Sequence, residues 1–178
     1  IPKDVVVDYA IIDIEEDVDS EHKEKLHKIL EKSALLGVKL FLEHWKQEFP
    51  DVKGEMKVYK DKIKGWEISL EEFFGNRFDI DKNKLIENKL NNTNEGYAYA
   101  FIDPPYGIQG SKQNINKIFL NINRELFYDF KVPFYIYKWN TEWSDYFEPG
   151  LEWWGTFYWT IFFPTKKEIV IIGASTSD

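Results

Sequence analysis

The strongest constraint on the fold lies near the C-terminus, where two apolar segments follow each other closely. Residues 153–163 and 169–172 are almost entirely apolar and flank Pro164-Thr165-Lys166-Lys167, a pattern that predicts a β-hairpin. Alternate side chains of a strand point to opposite faces, and both faces of the first segment carry large rings. The second segment shows no alternation, which indicates burial on both faces. We therefore expect a sheet that is either covered on both sides or exposes an aromatic patch.

Further strands are predicted along the rest of the chain. Residues 5–14 are apolar and β-branched, and residues 65–68, 97–102 and 134–139 are short apolar or aromatic runs. The lysine-rich stretch 53–64 is predicted to form an exposed edge strand, because lysines on a sheet edge discourage aggregation. These segments together supply enough strands for a sheet of several members.

Two long helices are predicted from apolar residues that recur at helical spacing. Ser20 is a suitable N-cap for a helix that reaches Phe49. Gly37, in the middle of this helix, indicates either a weak point or a close contact with another element. Asn114 is predicted to begin a second helix, whose apolar stripe runs to Leu126.

Two short helices complete the prediction. Ser69 begins the capping-box pattern Ser-Leu-Glu-Glu, and Gly75 is expected to end the helix that follows. Asp81 is expected to cap another short helix that extends towards Leu90.

These elements predict an α+β fold, with a mainly antiparallel sheet and two long helices packed on one side. The chain has 178 residues, 43% of them hydrophobic, so it can bury a substantial core. No repeat, linker or break in composition divides it. We expect one globular domain, residues 1–178, in which residues 1–14 form an N-terminal arm or an edge strand.

The composition excludes several classes of protein. The chain has no cysteine, which excludes disulfide scaffolds, thiolate zinc sites, iron–sulfur clusters and cysteine nucleophiles. No run of about 18 apolar residues is present, so no transmembrane segment is expected. The chain begins with Ile1 rather than methionine, which indicates a trimmed N-terminus. Export is therefore left open, and a cytoplasmic location is slightly favoured.

The net charge of −8 bears directly on the choice of partner. An acidic surface repels the phosphate backbone, so general nucleic-acid binding is disfavoured, whereas a basic protein is a suitable partner. Arg77 and Arg124 are the only arginines in the sequence. Because arginine forks usually grip phosphate, a phosphate-processing enzyme is disfavoured as well.

No cofactor, metal site or catalytic residue is assigned from the sequence. The chain has no P-loop, no dinucleotide fingerprint and no G-x-S-x-G motif. The histidines at positions 22, 27 and 44 lack a metal-binding spacing. Two runs that begin at Asp13 and Asp79 approach the calcium-loop pattern, but neither has the glycine that the sharp turn requires.

The sequence Asp103-Pro104-Pro105-Tyr106 resembles the catalytic motif of amino-group DNA methyltransferases. The resemblance implies that the acid and the first proline hold the amine of a flipped base, on which the tyrosine stacks. It covers four residues, and the chain lacks the G-x-G turn with which such enzymes approach their cofactor. The alternative is a rigid double-proline turn with the tyrosine packed beneath it.

The most unusual stretch in composition is 139–165, which has no lysine or arginine but many aromatic residues and several acids. Tryptophan and tyrosine anchor protein interfaces, and carboxylates steer a cationic partner towards them. We expect these side chains to point outward. The predicted partner-binding residues are Trp139, Glu142, Trp143, Asp145, Tyr146, Glu148, Glu152, Trp153 and Trp154.

These observations favour a non-enzymatic acidic binding protein over an enzyme. The specific form of this hypothesis is an immunity or antitoxin-type inhibitor of a basic protein such as a nuclease. A glycan-binding or glycan-cleaving domain stays open as an alternative, because rings stack on sugars and cleavage needs two carboxyl groups about 5–9.5 Å apart. A structural domain without such a site is the remaining alternative.

Overall fold

An antiparallel sheet with helices on both faces makes up the part of the chain that the computed structural model describes, residues 6–18, 21–51, 55–86, 93–151 and 154–176. The strands are β1 (Val7–Asp13), β2 (Gly65–Ile68), β3 (Phe78–Asp79), β4 (Lys84–Leu85), β5 (Tyr135–Trp139), β6 (Thr156–Phe163) and β7 (Glu168–Ser175). The helices are α1 (Lys23–Glu48), α2 (Leu70–Phe74), α3 (Tyr97–Ile102), α4 (Lys112–Phe127) and α5 (Glu148–Leu151). The main sheet has the order β1-β7-β6-β5-β2, and β3 pairs with β4 separately. The predicted α+β class is confirmed.

The predicted hairpin, β6 and β7, lies at the centre of the sheet. Its register places Phe157 opposite Ala174, and all but the first residue of each strand is buried. Trp159 packs into the apolar layer on one face and Tyr158 into the layer on the other. The sheet is therefore covered on both sides, which is the first of the two outcomes that the sequence allowed.

The two long helices lie on opposite faces of this sheet. Leu30 and Phe41 of α1 belong to the same layer as Tyr158, whereas Phe119 and Phe127 of α4 belong to the other layer. The prediction that both helices pack on one side is wrong. Because β6 and β7 are apolar on both faces, each face needs its own cover.

Gly37 allows α1 to approach the sheet closely. A β-carbon at this position would lie 2.6 Å from Ile171 Cγ2 and 2.6 Å from the Tyr158 hydroxyl oxygen. That hydroxyl donates a hydrogen bond of 2.7 Å to the Ala34 carbonyl oxygen one turn earlier in α1. Of the two interpretations of Gly37, the close contact is the one that the structure bears out.

Residues 97–102 form the buried helix α3 and not the predicted strand. Its side chains from Tyr97 to Phe101 are all buried, so the segment is apolar on every side. A short apolar run of this kind has no periodicity that separates a strand from a buried helix. Gly96 starts the helix against the end of α2, since a β-carbon there would lie 2.6 Å from the Phe74 carbonyl oxygen.

Several smaller predictions have mixed outcomes. The capping box at Ser69 is confirmed, and β1 pairs with β7 as an edge strand. The stretch 55–64 forms a single bridge at Val58 and a 3₁₀ turn, not an edge strand. Ser111, and not Asn114, is the N-cap of α4. The short helix predicted at Asp81 is a turn into β4, and its end lies outside the described residues.

Three consecutive residues after α4 adopt the left-handed conformation. Tyr128, Asp129 and Phe130 have φ of 53°, 52° and 54°. Side chains with a β-carbon pay a steric penalty in this region. Packing holds the turn in place, because the Phe130 ring contacts Phe73 and Phe134.

We predict that Gly37→Ala lowers the free energy of unfolding by about 1–2 kcal/mol, because the added methyl group overpacks the helix–sheet contact. Helix propensity alone predicts the opposite sign, a gain of about 1 kcal/mol. Chemical denaturation measures the difference. Lys39→Ala on the exposed side of α1 is the control and should change stability by less than about 0.5 kcal/mol. A stabilised Gly37→Ala variant would show that the contact is looser than described.

We also predict that Asp129→Gly raises the free energy of unfolding by about 0.5–1 kcal/mol, because glycine adopts the left-handed conformation without a steric penalty. The exposed ion pair that Asp129 forms with Lys131, at 3.6 Å, contributes little. Thermal denaturation monitored by circular dichroism is a suitable measurement. Asp129→Ala retains the β-carbon and should give no gain, so equal effects of the two substitutions would contradict the explanation.

Candidate functional site

The rings that were expected to face a partner lie in the core. Trp139, Trp143 and Tyr146 are at most 1% exposed, and Trp154 is 8% exposed. The expectation that these rings point outward is therefore wrong. Trp153 and Glu152 lie outside the described residues.

Internal hydrogen bonds explain why the polar tips of these rings can be buried. The indole nitrogen of Trp139 donates to Thr160 Oγ1 at 3.0 Å. The corresponding nitrogen of Trp143 donates to the Asn140 carbonyl oxygen at 2.6 Å. Since each ring satisfies its donor inside the protein, burial costs no unpaired polar group.

The acidic residues of the same stretch behave differently from the rings. Glu142 and Glu148 are exposed, and neither forms an ion pair within the described part of the chain. Asp145 is half-buried, and its carboxylate accepts a hydrogen bond of 2.9 Å from the Lys57 backbone nitrogen. Two of the three described carboxylates therefore remain available to solvent.

Tyr146 connects this stretch to the start of β1. Its hydroxyl donates a hydrogen bond of 2.7 Å to Asp8 Oδ2. Burial raises the pKa of Asp8 above its ordinary value, while the hydrogen bond from Tyr146 and the nearby His44 lower it, and Glu48 raises it. The C-terminal turns of α1, the start of β1 and residues 145–148 therefore meet at one end of the sheet.

We predict that Tyr146→Phe destabilises the protein by about 1–3 kcal/mol at pH 7, because a buried carboxylate loses its donor. When a carboxyl group has a higher pKa in the folded protein than in the unfolded chain, the free energy of unfolding falls as the pH rises through the folded pKa. Removing the donor raises the folded pKa of Asp8 further, so the penalty should shrink at pH 3. Denaturation at both pH values measures this.

The control for this pH dependence is Tyr158→Phe, which removes an equally buried hydroxyl. That hydroxyl donates to a carbonyl oxygen, the Ala34 oxygen, which does not titrate in this range. Its penalty should therefore change little between pH 7 and pH 3. A Tyr146→Phe penalty that is equally independent of pH would contradict the role assigned to Asp8.

A cleft of about 980 Å³ lies on the opposite side of the sheet from α1. Its walls are the β3–β4 turn, the end of α3 and the first turn of α4. The Leu85 backbone nitrogen donates to Asn116 Oδ1 at 2.8 Å, which ties β4 to α4. The volume suits a small molecule. The charged side chains that line it are Arg77, Asp79, Lys82, Lys84, Asp103 and Lys112.

Arg77 is the one buried residue among the charged side chains that line the cleft. Its side chain is buried, and its Nε has no hydrogen-bond partner in the part of the chain that the structure describes. Its Nη2 lies 3.6 Å from Asp103 Oδ2, and its guanidinium lies 5.4 Å from the centre of the Tyr99 ring. Sequence reasoning did not select Arg77. The sequence did contain one sign of its importance. Arg77 is one of only two arginines, and it lies in the short segment between the capped helix α2 and the β3–β4 turn.

Two carboxylates, those of Asp79 and Asp103, line this cleft. Hydrogen bonds from the Lys82 backbone and side chain hold the pKa of Asp79 below its ordinary value, whereas a general acid needs a raised pKa. Asp103 Oδ2 lies 3.6 Å from Arg77 Nη2, a long ion pair. Glu142, Asp145 and Glu148, which the cleavage hypothesis used, do not line the cleft.

The motif that begins at Asp103 follows the helix α3 and not a strand. The Pro104 carbonyl oxygen accepts a hydrogen bond of 2.9 Å from the Gly107 backbone nitrogen, which closes a tight turn. The Asp103 carbonyl oxygen accepts a hydrogen bond of 2.5 Å from Trp154 Nε1. Tyr106 is 75% exposed, so the expectation that it packs beneath the turn is wrong.

Comparison with protein-family models finds no match to this chain. Comparisons with curated proteins and with solved structures likewise find no match. Among the described residues, no three or more His, Asp or Glu side chains are grouped so that they could hold a metal ion. In the same part of the chain, no helix has the length and apolar character needed to cross a membrane.

Proposed function

We propose that the protein is a non-enzymatic acidic binding protein whose partner is a basic protein. The observation that supports this proposal is the pair of exposed carboxylates, Glu142 and Glu148, which have no described ion pair. They belong to a stretch without lysine or arginine in a chain of net charge −8. Lysines of residues 55–64 lie beside this stretch, since the Lys57 backbone nitrogen donates to Asp145 and Asn140 Nδ2 donates to the Lys62 carbonyl oxygen, but none of them pairs with Glu142 or Glu148 among the described residues.

The proposed surface combines these acids with neighbouring apolar groups, and we call it the acidic end. Leu151 follows Glu148 in α5, and Phe49 follows Glu48 at the end of α1; Leu151 and Phe49 are each 56% exposed. The Trp45 ring lies between Phe49 and the buried Tyr146, with centres 6.5 and 6.3 Å away. Exposed apolar groups rimmed by acids are typical of a surface that docks a basic protein.

The specific form of the proposal is an immunity-type inhibitor of a basic protein such as a nuclease. A protein that covers a phosphate-binding site presents negative charge where the phosphates would lie, and long-range attraction speeds the encounter. With the aromatic rings in the core, exposed leucine and phenylalanine side chains supply the apolar contacts instead.

A pair of matched variants tests this proposal. We predict that Glu142→Gln with Glu148→Gln weakens binding of a short oligolysine peptide by about three- to tenfold, because two attractive charges are lost. Isothermal titration at several salt concentrations measures the affinity, which should fall as salt rises. The peptide should shift the amide NMR signals of residues 142–151.

The control variant is Glu15→Gln with Glu16→Gln, which changes the net charge by the same amount. These two exposed acids follow the far end of β1 from Asp8. The control should bind the peptide nearly as well as the unmodified chain. Equal losses in both variants would mean that net charge alone attracts the peptide, and binding that ignores salt would exclude the electrostatic mechanism.

A further inference from the structure

We propose that the cleft lined by Arg77 is a binding site for a small phosphate monoester. This inference is independent of the acidic end, since the cleft shares no lining residue with that surface. It rests on the charge of the cleft, on the state of Arg77 and on the elements that form the walls.

The charge of the cleft is opposite to that of the whole protein. Its described lining has an excess of two positive charges, although the chain carries a net charge of −8. Lys82 is paired with Asp79 at 3.1 Å, Arg77 is close to Asp103, and Lys112 also has an interaction of its own, so the excess is a property of the whole lining and not of one free lysine. A phosphate monoester carries about −1.5 to −2 charges at pH 7, which matches the excess better than a single carboxylate does.

Arg77 is a buried cation whose donors are incompletely used. It is 7% exposed, and its Nε has no partner among the described residues. The distance of 3.6 Å from its Nη2 to Asp103 Oδ2 is longer than a hydrogen bond. The Tyr99 ring lies on one side of the guanidinium, with its centre 5.4 Å from Arg77 Cζ. A planar guanidinium held in a wall is prepared for the paired oxygens of a phosphate group.

The first turn of α4 forms another wall of the same cleft. Lys112 and Gln113 line it directly after the N-cap Ser111. The first backbone N–H groups of a helix have no partner within it, and the helix dipole favours negative charge. In α4 the Ser111 side chain accepts from the Asn114 backbone nitrogen, so the N–H groups before Asn114 are the ones that face this position. Arg77 and the start of α4 therefore provide two separate sources of attraction for the same anion.

Asp103 selects an ester over a simple ion. Its side chain is about half exposed and lines the cleft beside Arg77. A carboxylate only accepts hydrogen bonds, so it fits a hydroxyl or amino group on the organic part of the ligand. The net charge of −8 repels a nucleic-acid backbone, which disfavours a nucleic-acid polymer as the occupant.

NMR titration of the whole chain with glycerol 2-phosphate, inorganic phosphate and acetate tests the site. We expect saturable shifts of amide signals within residues 77–86, 102–103 and 112–116, with glycerol 2-phosphate the tightest of the three. Absence of saturation, or shifts centred elsewhere, would overturn the proposal. Equal affinity for inorganic phosphate would overturn the assignment of an ester.

Substitutions of exposed residues at the rim test the site without disturbing the core, so a loss of binding does not reflect a failure to fold. Lys84→Gln with Lys112→Gln changes two exposed side chains and should weaken glycerol 2-phosphate binding by about tenfold. Lys39→Gln with Lys46→Gln on α1 makes the same change in net charge and should leave the affinity unchanged. Arg77→Lys should also weaken binding, because the fork is lost. Equal losses in the rim variant and the α1 variant would refute the site.

Discussion

Burial of the β6–β7 hairpin on both faces is the constraint on which the rest of the structure depends. Two adjacent strands without a polar face need an apolar layer on each side. The helix α1 supplies one layer, and α2, α3 and α4 contribute to the other. Gly37 then sets how closely α1 approaches, because Ile171 and Tyr158 occupy the space where its side chain would be.

Sequence patterns predicted those elements whose signals are local. The apolar strands, the amphipathic helix α1 and the capping box at Ser69 each have their cause within a few residues. Residues 97–102 were assigned to the wrong class because a helix that is buried on every side shows no periodicity. The placement of the two long helices depends on which face of the sheet each one covers, and no local sequence pattern determines that face.

The candidate sites also separate into features with a local cause and features that depend on the folded chain. The stretch 139–165 drew attention through its composition, but composition does not separate a ring that binds a partner from one that completes a core. Thr160 and the Asn140 carbonyl group, which accept the indole hydrogens, become neighbours of the tryptophans only in the folded chain. Arg77 was overlooked for the converse reason, because its importance comes from burial and from neighbours distant in sequence, such as Asp103.

The hydrogen bond from Trp154 to the Asp103 carbonyl group joins the residue that precedes the central hairpin to the rim of the cleft. An indole whose donor is held by a backbone oxygen is sensitive to small movements of that oxygen. The protein thus contains an intrinsic fluorophore at the junction between its central hairpin and the cleft lined by Arg77. Changes at the rim would alter the emission of this tryptophan without any added label.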